Sequence, residues 1–383
     1  MRKVCVVVTA RPSYSRIKTA LSAIQDHPEL ELQLVVGSSS VLERYGNAAN
    51  VMRSDGFPIA AEVFNVLEGE TPTAMAKTAG LAIIELSSAL DRLQPDVVVT
   101  IADRFETIAN AIAASYMNIP VAHVQGGEVS GSIDEKVRHS ITKLSDLHFV
   151  ATEGAYERVT RMGEPAHTVF NTGCPSVDLA RDVALRPELD FDPFERYGGV
   201  GERLDLSGGY LVVMQHPVTT QHQQAREQAI ATLEAVGDLA MPTLWFWPNV
   251  DAGSDGTSNA LRSFRENNDA SFIHFFKNME PHDFLRVLVN ARTLVGNSSV
   301  GIRESAFLGV PVVNVGTRQH DRERADNVID VGHDQGEIGA AISKQIHHGR
   351  YESSTLYGDG YSGQRIADLL ASEPFTIEKR LSY

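Results

Sequence analysis

The sequence predicts an α/β protein built from two doubly wound, Rossmann-like domains, each a parallel sheet with helices on both faces. The chain of 383 residues is longer than a single hydrophobic core usually supports, which predicts two domains of ordinary size. Short apolar runs alternate with amphipathic stretches, and these runs lack the polar alternation of a half-exposed strand. Such runs are typical of parallel strands covered on both faces.

The first half shows this alternation most clearly. Val4–Val8 and Leu30–Val36 read as strands, and between them apolar residues recur at helical spacing from Ile17 to Ile24. The pattern continues with a helix at 73–93, a strand at 96–101, a helix at 106–116 and a strand at 120–124. Repeated strand–helix–strand units of this kind predict the first parallel sheet.

The periodicity stops between about 185 and 209, in a stretch rich in Pro, Gly and Asp, and then resumes. We therefore predict a first domain at 1–185, a linker at 186–208 and a second domain at 209–363. The strands of the second domain are predicted near 210–214, 243–246, 272–275, 293–295 and 312–315. Periodicity does not show where the helical segment 364–383 packs, and we assign it to the first domain. Ligands of such sheets bind at the carboxyl ends of the strands, which predicts a site in a cleft between the two domains.

Composition excludes several classes of function. The formal net charge of −15 disfavours a nucleic-acid or anionic-membrane surface, because either partner would be repelled. The two cysteines, Cys5 and Cys174, lie far apart without CxxC spacing, so neither a disulfide framework nor a zinc site is indicated. The apolar run at Val4–Val8 is too short for a signal peptide, and no stretch has the length of a membrane span. We expect a cytoplasmic enzyme.

Polar residues at the predicted strand ends of the first domain are candidates for the site. Arg11 and Ser15 follow the first strand at the opening of a helix, whose N–H groups suit an anion. They could equally be a loop arginine and a capping serine. Asp103 and Arg104 follow the strand at 96–101, where an Asp-Arg pair could also be a helix cap with a surface neighbour.

The next strand end is an unusually long turn rich in glycine and carboxylates, and it contains Gln125, Glu128 and Asp134 before Arg138 and His139. We count His139 among the candidate substrate-binding residues. Two adjacent acidic strand ends suggest a reaction centre. Opposed carboxylates suit general acid/base work on a sugar ring, where positive charge develops at the anomeric carbon.

The second domain offers candidates for binding phosphate and ribose. His216 follows one strand, and Asn249 and Asp251 follow another. Gly296-Asn297-Ser298-Ser299 resembles a phosphate cradle, because small residues let the backbone approach and hydroxyls donate to oxygens. Glu304 suits two ribose hydroxyls, or is a surface carboxylate. His216 is a candidate catalytic residue, or is purely structural. Arg318 follows the next strand.

Taken in order, these clusters closely resemble the hydrolysing UDP-N-acetylglucosamine 2-epimerases, bacterial enzymes and animal epimerase domains that supply N-acetylmannosamine for sialic acid synthesis. The resemblance covers nearly the whole chain. The motifs that carry it are Ala10–Ser15, Asp103–Phe105, Gly126–Asp134, His216–Thr220, Gly296–Glu304, Gly316–Gln319 and Tyr357–Gly360.

The resemblance implies a glycosyltransferase-B type fold, a homodimer or pair of dimers, and catalysis without a metal or cofactor. UDP would bind the second domain, with the diphosphate held by His216 and the Ser298-Ser299 turn and the ribose by Glu304. Arg318, Asn249 and Asp251 would shape the site. From the first domain, Arg11, Ser15 and Arg104 would bind the diphosphate.

The implied reaction has two stages, in which UDP leaves by elimination across C1 and C2 and water then adds to the 2-acetamidoglucal. Asp103 and Asp134 match two positions assigned to the proton transfers. Many members have glutamate where this chain has Gln125, and glutamine cannot act as a base. Either position 125 only orients the sugar, or Glu128 takes over, or the substrate is a diacetamido-trideoxy sugar of legionaminic acid synthesis. Ala102 also stands where glycine is usual.

Three other functions remain open at the level of sequence. A glycosyltransferase shares the two-domain scaffold, since fold alone does not determine function. A non-hydrolysing epimerase would return UDP-N-acetylmannosamine. A catalytically silent nucleotide-sugar sensor is conceivable because of Gln125.

Overall fold

The computed structural model describes residues 1–43, 47–67, 71–130, 134–248 and 253–382. It divides into two compact units. The first contains Met1–Val129, Ile133–Asp178 and Tyr357–Tyr383, and Leu179–Leu356 makes up most of the second. Each unit is a parallel sheet covered by helices, which confirms the predicted fold class.

The first unit is built on a seven-stranded parallel sheet in the order β3-β2-β1-β4-β5-β6-β7. Its strands are β1 (Arg2–Val8), β2 (Leu30–Gly37), β3 (Ile59–Val63), β4 (Val97–Ile101), β5 (Val121–Val124), β6 (Leu147–Val150) and β7 (Val169–Asn171). Its helices include α1 (Arg11–Ser15), α2 (Lys18–Asp26), α3 (Ala48–Ser54), α4 (Pro72–Leu93), α5 (Ile108–Tyr116), α6 (Asp134–Leu144) and α7 (Glu153–Arg161), followed by α8 (Pro175–Leu185).

The second unit is built on a six-stranded parallel sheet in the order β10-β9-β8-β11-β12-β13. Its strands are β8 (Leu211–Met214), β9 (Thr243–Phe246), β10 (Ile273–Phe276), β11 (Thr293–Gly296), β12 (Val312–Val315) and β13 (Val328–Val331). Its helices are α9 (Pro193–Tyr197), α10 (Ala225–Leu239), α11 (Ser254–Asn267), α12 (Pro281–Asn290), α13 (Glu304–Leu308) and α14 (Gln335–His348). The helix that follows, α15 (Ser362–Ser372), belongs to the first unit.

The central strands have the continuous apolar sequence that parallel packing requires. All residues of β4, β5, β9 and β11 are buried, so both faces of each strand contact helices. Every strand predicted from the sequence is present to within one or two residues. Four further strands, β3, β6, β7 and β13, were not predicted, because they are short or carry polar residues such as His148 and Asp330.

The predicted linker at 186–208 is wrong. This segment contains α9 and belongs to the second unit, where Leu189, Phe191, Phe194 and Leu206 pack against its core. The clustered Pro and Gly residues therefore mark an irregular segment of a domain. The boundary predicted at 185 also lies too late, since the second half of α8 packs through Leu179, Ala180 and Val183 against the second core.

The C-terminal segment belongs to the first unit from Tyr357 onward, seven residues before the predicted start at 364. The Asp178 carboxylate accepts hydrogen bonds from the backbone N–H groups of Ser362 (2.9 Å) and Gly363 (2.7 Å) at the start of α15. It also accepts one from the Thr19 hydroxyl of α2 (2.9 Å). The helices approach so closely that a Cβ at position 363 would lie 2.6 Å from the carbonyl carbon of Thr19. No helix in the described ranges is long and apolar enough to cross a bilayer.

We predict that Gly363→Ala destabilises the first unit by about 1–3 kcal/mol, because the added methyl group overpacks the contact between α15 and α2. The matched control is Gly339→Ala in α14, where an added Cβ would meet no atom within 4 Å. That variant should be stabilised by up to about 1 kcal/mol through helix propensity. Thermal unfolding measures both, and equal effects of the two substitutions would contradict the packing argument.

Candidate functional site

The residues that directly follow strands β4 and β5 of the first unit have left-handed backbone. Ala102 has φ +58° and Gln125 has φ +66°. The backbone N–H of Ala102 donates to Val124 O (2.9 Å) and that of Gln125 to Phe149 O (2.8 Å), so the neighbouring strand holds each residue in place. This conformation costs a non-glycine residue about 1–2 kcal/mol. Glycine would adopt it without this cost at position 102, directly before Asp103.

Arg138 connects the two acidic strand ends. Its guanidinium donates to Oδ2 of Asp103 through Nε (3.1 Å) and Nη2. Its Nη1 donates to the backbone carbonyl of Glu128 (2.6 Å) and to the Glu135 carboxylate (3.0 Å). Arg16 of the loop after α1 lies 3.9 Å from the other Asp103 oxygen. The structure therefore joins Asp103, the loop after β5 and α6 through one cation.

The guanidinium is a fixed positive charge. Arg138 is only 1 % exposed. Burial by itself lowers the pKa of Arg138, but the charges of Asp103, Glu128 and Glu135 raise it above its ordinary value. A buried cation requires such partners, since removing one would leave an uncompensated charge. The cluster thus holds three acidic residues, Asp103, Glu128 and Glu135, around a permanent cation.

Gln125 and Glu128 have different surroundings. Gln125 is buried, and its Nε2 donates to the Cys174 sulfur (2.9 Å), which in turn lies 3.0 Å from the Ser176 hydroxyl. Its Oε1 has no hydrogen-bond partner among the described residues. The Glu128 side chain is also buried, and its charge acts on Arg138. Of these two residues, Glu128 is the one that carries a carboxylate.

Glycines 126 and 127 are required by close packing. A Cβ at Gly126 would lie 2.8 Å from Nδ1 of His123. Gly127 has φ +74°, and a Cβ there would lie 2.5 Å from the backbone carbonyl oxygen of Ala155. Side chains at either position would displace the loop that carries Glu128.

The other predicted residues of the first unit lie around the same sheet edge. Arg11 and Ser15 are the first and last residues of α1, and the Ser15 hydroxyl donates to Arg11 O (3.4 Å). Arg104 Nε donates to the buried Glu106 carboxylate (2.8 Å). Asp134 is the first residue of α6, and His139 Nε2 lies 2.8 Å from Glu135 Oε1. The loop residues 131–133 lie outside the described ranges.

In the second unit, Asn297 organises the corresponding sheet edge. Its Oδ1 accepts from the backbone N–H of His216 (2.8 Å), and its Nδ2 donates to His216 O (2.8 Å). The backbone carbonyl of Asn297 accepts from Arg318 (3.1 Å) and Gln319 (2.9 Å). Gly296 must be glycine, because a Cβ there would lie 2.3 Å from Met214 O. The ends of β8, β11 and β12 are thereby tied together.

The Ser298-Ser299 turn follows directly, and both serines are partly exposed. Ser298 caps a 3₁₀ turn at Ser299–Gly301 by accepting from the N–H of Val300 (3.5 Å). Glu304 begins α13, and its Oε2 has no hydrogen-bond partner among the described residues. Asn249 and Asp251 lie outside the described ranges. His216, Ser298, Glu304 and Arg318 thus belong to one edge of the second sheet.

Sequence reasoning overlooked two residues that organise these edges. Arg138 was noted only as the end of a turn, although its position three and four residues after Glu135 and Asp134 places it on their face of a helix. In the sequence Asn297 is only one member of a small-residue motif. Arg138 lies on a helix, whereas the ligands of such sheets usually bind at strand ends.

His123 supports the strand end that precedes Asp103. Its ring is fully buried, with Nε2 2.9 Å from Ala102 O and Nδ1 3.2 Å from the Thr142 hydroxyl. Burial lowers the pKa of His123 to about 3, against the opposing effect of the hydrogen bond to Ala102. The ring is therefore neutral at ordinary pH.

The two parallel sheets with polar residues at their carboxyl edges define an α/β protein of the glycosyltransferase-B type. The family model described as UDP-N-acetylglucosamine 2-epimerase matches residues 22–371. The chain therefore belongs to the UDP-N-acetylglucosamine 2-epimerase family, as the sequence motifs predicted.

Individual relatives match over nearly their whole length. A UDP-N,N'-diacetylbacillosamine 2-epimerase (hydrolyzing) from Legionella pneumophila is 32% identical, over 98% of this chain and 97% of that protein. A UDP-N-acetylglucosamine 2-epimerase from Neisseria meningitidis is 30% identical, over 97% of this chain and 95% of that protein. The fold is similar to a crystal structure of UDP-GlcNAc 2-epimerase from Neisseria meningitidis bound to UDP-GlcNAc, with a TM-score of 0.81 at 17% identity, covering 97% of this chain and 100% of that chain.

We predict that His123 makes the protein less stable in acid. Below the ordinary histidine pKa of 6.5, the unfolded chain binds a proton at this residue, whereas the folded chain does so only near pH 3. Because of this one group, the free energy of unfolding should fall by about 1.4 kcal/mol per pH unit as the pH decreases from about 6 to 4. Denaturant unfolding at several pH values measures the slope. His123→Leu should show a smaller slope, and an unchanged slope would contradict the assignment.

Proposed function

We propose that the protein is a hydrolysing 2-epimerase, which converts a UDP-2-acetamido sugar and water into UDP and the free 2-epimeric sugar. Its first candidate substrate is UDP-N-acetylglucosamine, with N-acetylmannosamine as product. Membership of the epimerase family supports this reaction class. The Legionella relative, whose name includes both hydrolysis and a diacetamido sugar, supports the hydrolytic form.

The observation that carries the proposal is the contact of buried Arg138 with the Asp103 carboxylate and with the backbone carbonyl of Glu128, from the helix that Asp134 begins. In the first stage, a carboxylate takes the proton from C2 and the C1–O bond breaks, with its electron pair leaving on UDP. A C1–C2 double bond results. In the second stage, water adds at C1 as C2 receives a proton on the opposite face. Both stages require carboxyl groups that exchange protons and that stabilise the positive charge developing at the anomeric carbon.

We assign the proton transfers to Asp103, Asp134 and Glu128. Asp103 has a fixed orientation, because Arg138 binds it through two nitrogens. Position 125 carries an amide that donates to Cys174, and an amide cannot accept a proton in this chemistry. Glu128 therefore supplies the carboxylate that Gln125 lacks, and Gln125 is left to orient the sugar.

We assign diphosphate binding in the first unit to Arg11, Ser15 and Arg104, and sugar binding to His139. In the second unit, His216 and the Ser298-Ser299 turn would bind the diphosphate, Glu304 the ribose hydroxyls, and Arg318 would support the turn from its contact with Asn297. Asn249 and Asp251 would complete this set. We also propose that the enzyme acts in the cytoplasm as a homodimer or a dimer of dimers.

A second candidate substrate is a UDP-diacetamido-trideoxy sugar. The 32% identity with the Legionella UDP-N,N'-diacetylbacillosamine 2-epimerase favours it. The same elimination applies, since both sugars carry an acetamido group at C2. The two candidates differ in substituents away from C1 and C2, so discrimination would lie in sugar contacts and not in the proton-transfer groups.

We predict that incubation with UDP-N-acetylglucosamine or its diacetamido-trideoxy analogue in deuterated water yields free UDP and a manno sugar deuterated at C2. NMR of the products measures both. The preferred substrate is the one with the higher kcat/KM. Intact UDP-N-acetylmannosamine would show the non-hydrolysing reaction instead, transfer to an added acceptor would show a glycosyltransferase, and no turnover of any UDP-sugar would refute an enzymatic role.

We predict that Asp103→Asn, Asp134→Asn and Glu128→Gln each lower kcat about a hundredfold or more, because each removes a group that exchanges protons. The control is Asp190→Asn, which breaks a carboxylate–arginine pair with Arg286 (2.7 Å) on the second unit. Its kcat should be unchanged. Near-normal turnover of Glu128→Gln would mean that another group replaces the missing glutamate at position 125.

A further inference from the structure

The buried His123 ring connects two parts of the structure that carry the proposed chemistry. It lies on β5, and its Nε2 is 2.9 Å from the backbone carbonyl of Ala102, the residue that precedes Asp103. Its Nδ1 is 3.2 Å from the hydroxyl of Thr142 on α6, one helical turn after Arg138. One side chain thus contacts the segments that hold both partners of the Asp103–Arg138 pair.

The hydrogen bonds determine which ring nitrogen carries the proton. A carbonyl oxygen can only accept, so Nε2 must be the protonated nitrogen. In a neutral ring Nδ1 is then an acceptor, and the Thr142 hydroxyl donates to it. This hydroxyl also lies 3.1 Å from Arg138 O, but its single proton serves one acceptor at a time. The ring has one tautomer and two directed contacts.

Gly126 lies against both the ring and the hydroxyl, since a Cβ at this position would be 2.8 Å from Nδ1 of His123 and 3.0 Å from the Thr142 hydroxyl oxygen. A glycine is therefore needed for the ring and the hydroxyl to meet. The ring also holds the carbonyl of Ala102, whose φ of +58° is unfavourable for alanine. Without that bond, the turn into Asp103 would lose one of its two backbone restraints.

We propose that His123 is a positioning residue for the epimerase reaction, which holds the turn into Asp103 through Ala102 and ties α6, the helix that carries Arg138, to β5 through Thr142, without itself exchanging protons with substrate. The proposal rests on the function proposed above. His123 is buried and does not contact the substrate, so it would affect the rate of the reaction only through the residues it positions.

The charges around the ring favour its neutral form. Besides burial, the nearby positive Arg138 on α6 and the neighbouring His148 on β6 lower the pKa of His123, whereas Asp103 after β4 raises it. Protonation of Nδ1 would remove the acceptor that the ring offers to the Thr142 hydroxyl. The ring should therefore contribute no limb to the pH dependence of turnover above about pH 5.

The test compares His123→Leu with His123→Gln, which retains an N–H donor at a similar distance from the backbone. We expect His123→Leu to lower kcat about a hundredfold, the loss typical of misplaced reacting groups, with KM changed less than about threefold. The pH profile should keep both limbs at their wild-type positions. His123→Gln should recover at least tenfold of the lost kcat.

The matched control is His148→Leu. His148 lies beside His123 in the sheet register and is equally buried, but its Nε2 lies 3.1 Å from Glu164, whose carboxylate is paired with Lys143 and Lys379 away from Asp103. This variant should lose stability and retain kcat within about threefold. All rates are measured below the Tm of each variant.

Three results would overturn the proposal: His123→Leu with kcat within threefold of wild type, His123→Gln no better than His123→Leu, or an equal loss in His148→Leu. An independent readout is ¹⁵N NMR of selectively labelled histidine in the wild-type protein, which should show Nε2 protonated and Nδ1 unprotonated from pH 8 to 5. The opposite tautomer, or a doubly protonated ring, would overturn the proposal for His123. This NMR result does not depend on turnover, whereas a wild-type protein that turns over no UDP-sugar would refute the proposed function.

Discussion

The buried guanidinium of Arg138 is the constraint on which the candidate site of the first unit depends. A cation with 1 % exposure is tolerated only if its hydrogen bonds are satisfied by fixed partners. Those partners come from the ends of β4 and β5 and from α6, namely Asp103, the Glu128 carbonyl and Glu135. The need to neutralise one charge therefore determines how three separate segments of the chain meet.

In the second unit, a neutral side chain connects the ends of neighbouring strands. Asn297 both accepts from and donates to the backbone of His216, and its own carbonyl is held by Arg318 and Gln319. An amide can satisfy both a backbone donor and a backbone acceptor, which a carboxylate or an ammonium group cannot. The turn at Gly296–Ser299 is thereby shaped without any charge of its own, and the site of this unit is left with donors suited to an anion.

Backbone geometry accounts for features that the residue types alone leave unexplained. Ala102 has a φ of +58°, a conformation that favours glycine, and its neighbours hold the alanine there. Gln125, also left-handed, faces Cys174, a residue 49 positions later that no sequence motif connects with it. Such pairings arise because parallel strands bring distant segments to one edge, and periodicity carries no information about which side chains then meet.

The sequence by itself determined the fold class, most strands and the family, because apolar periodicity and strand-end motifs are local signals. It also located Asp103, Glu128, Asp134, His216 and Ser298 at the carboxyl edges of two sheets. The unit boundaries, the packing of residues 186–208 in the second unit, and the central places of Arg138, Asn297 and His123 were decided only by tertiary structure. These features depend on burial and on hydrogen bonds between segments far apart in the chain. The free energy of such a contact depends on its surroundings, which the residue type alone does not specify.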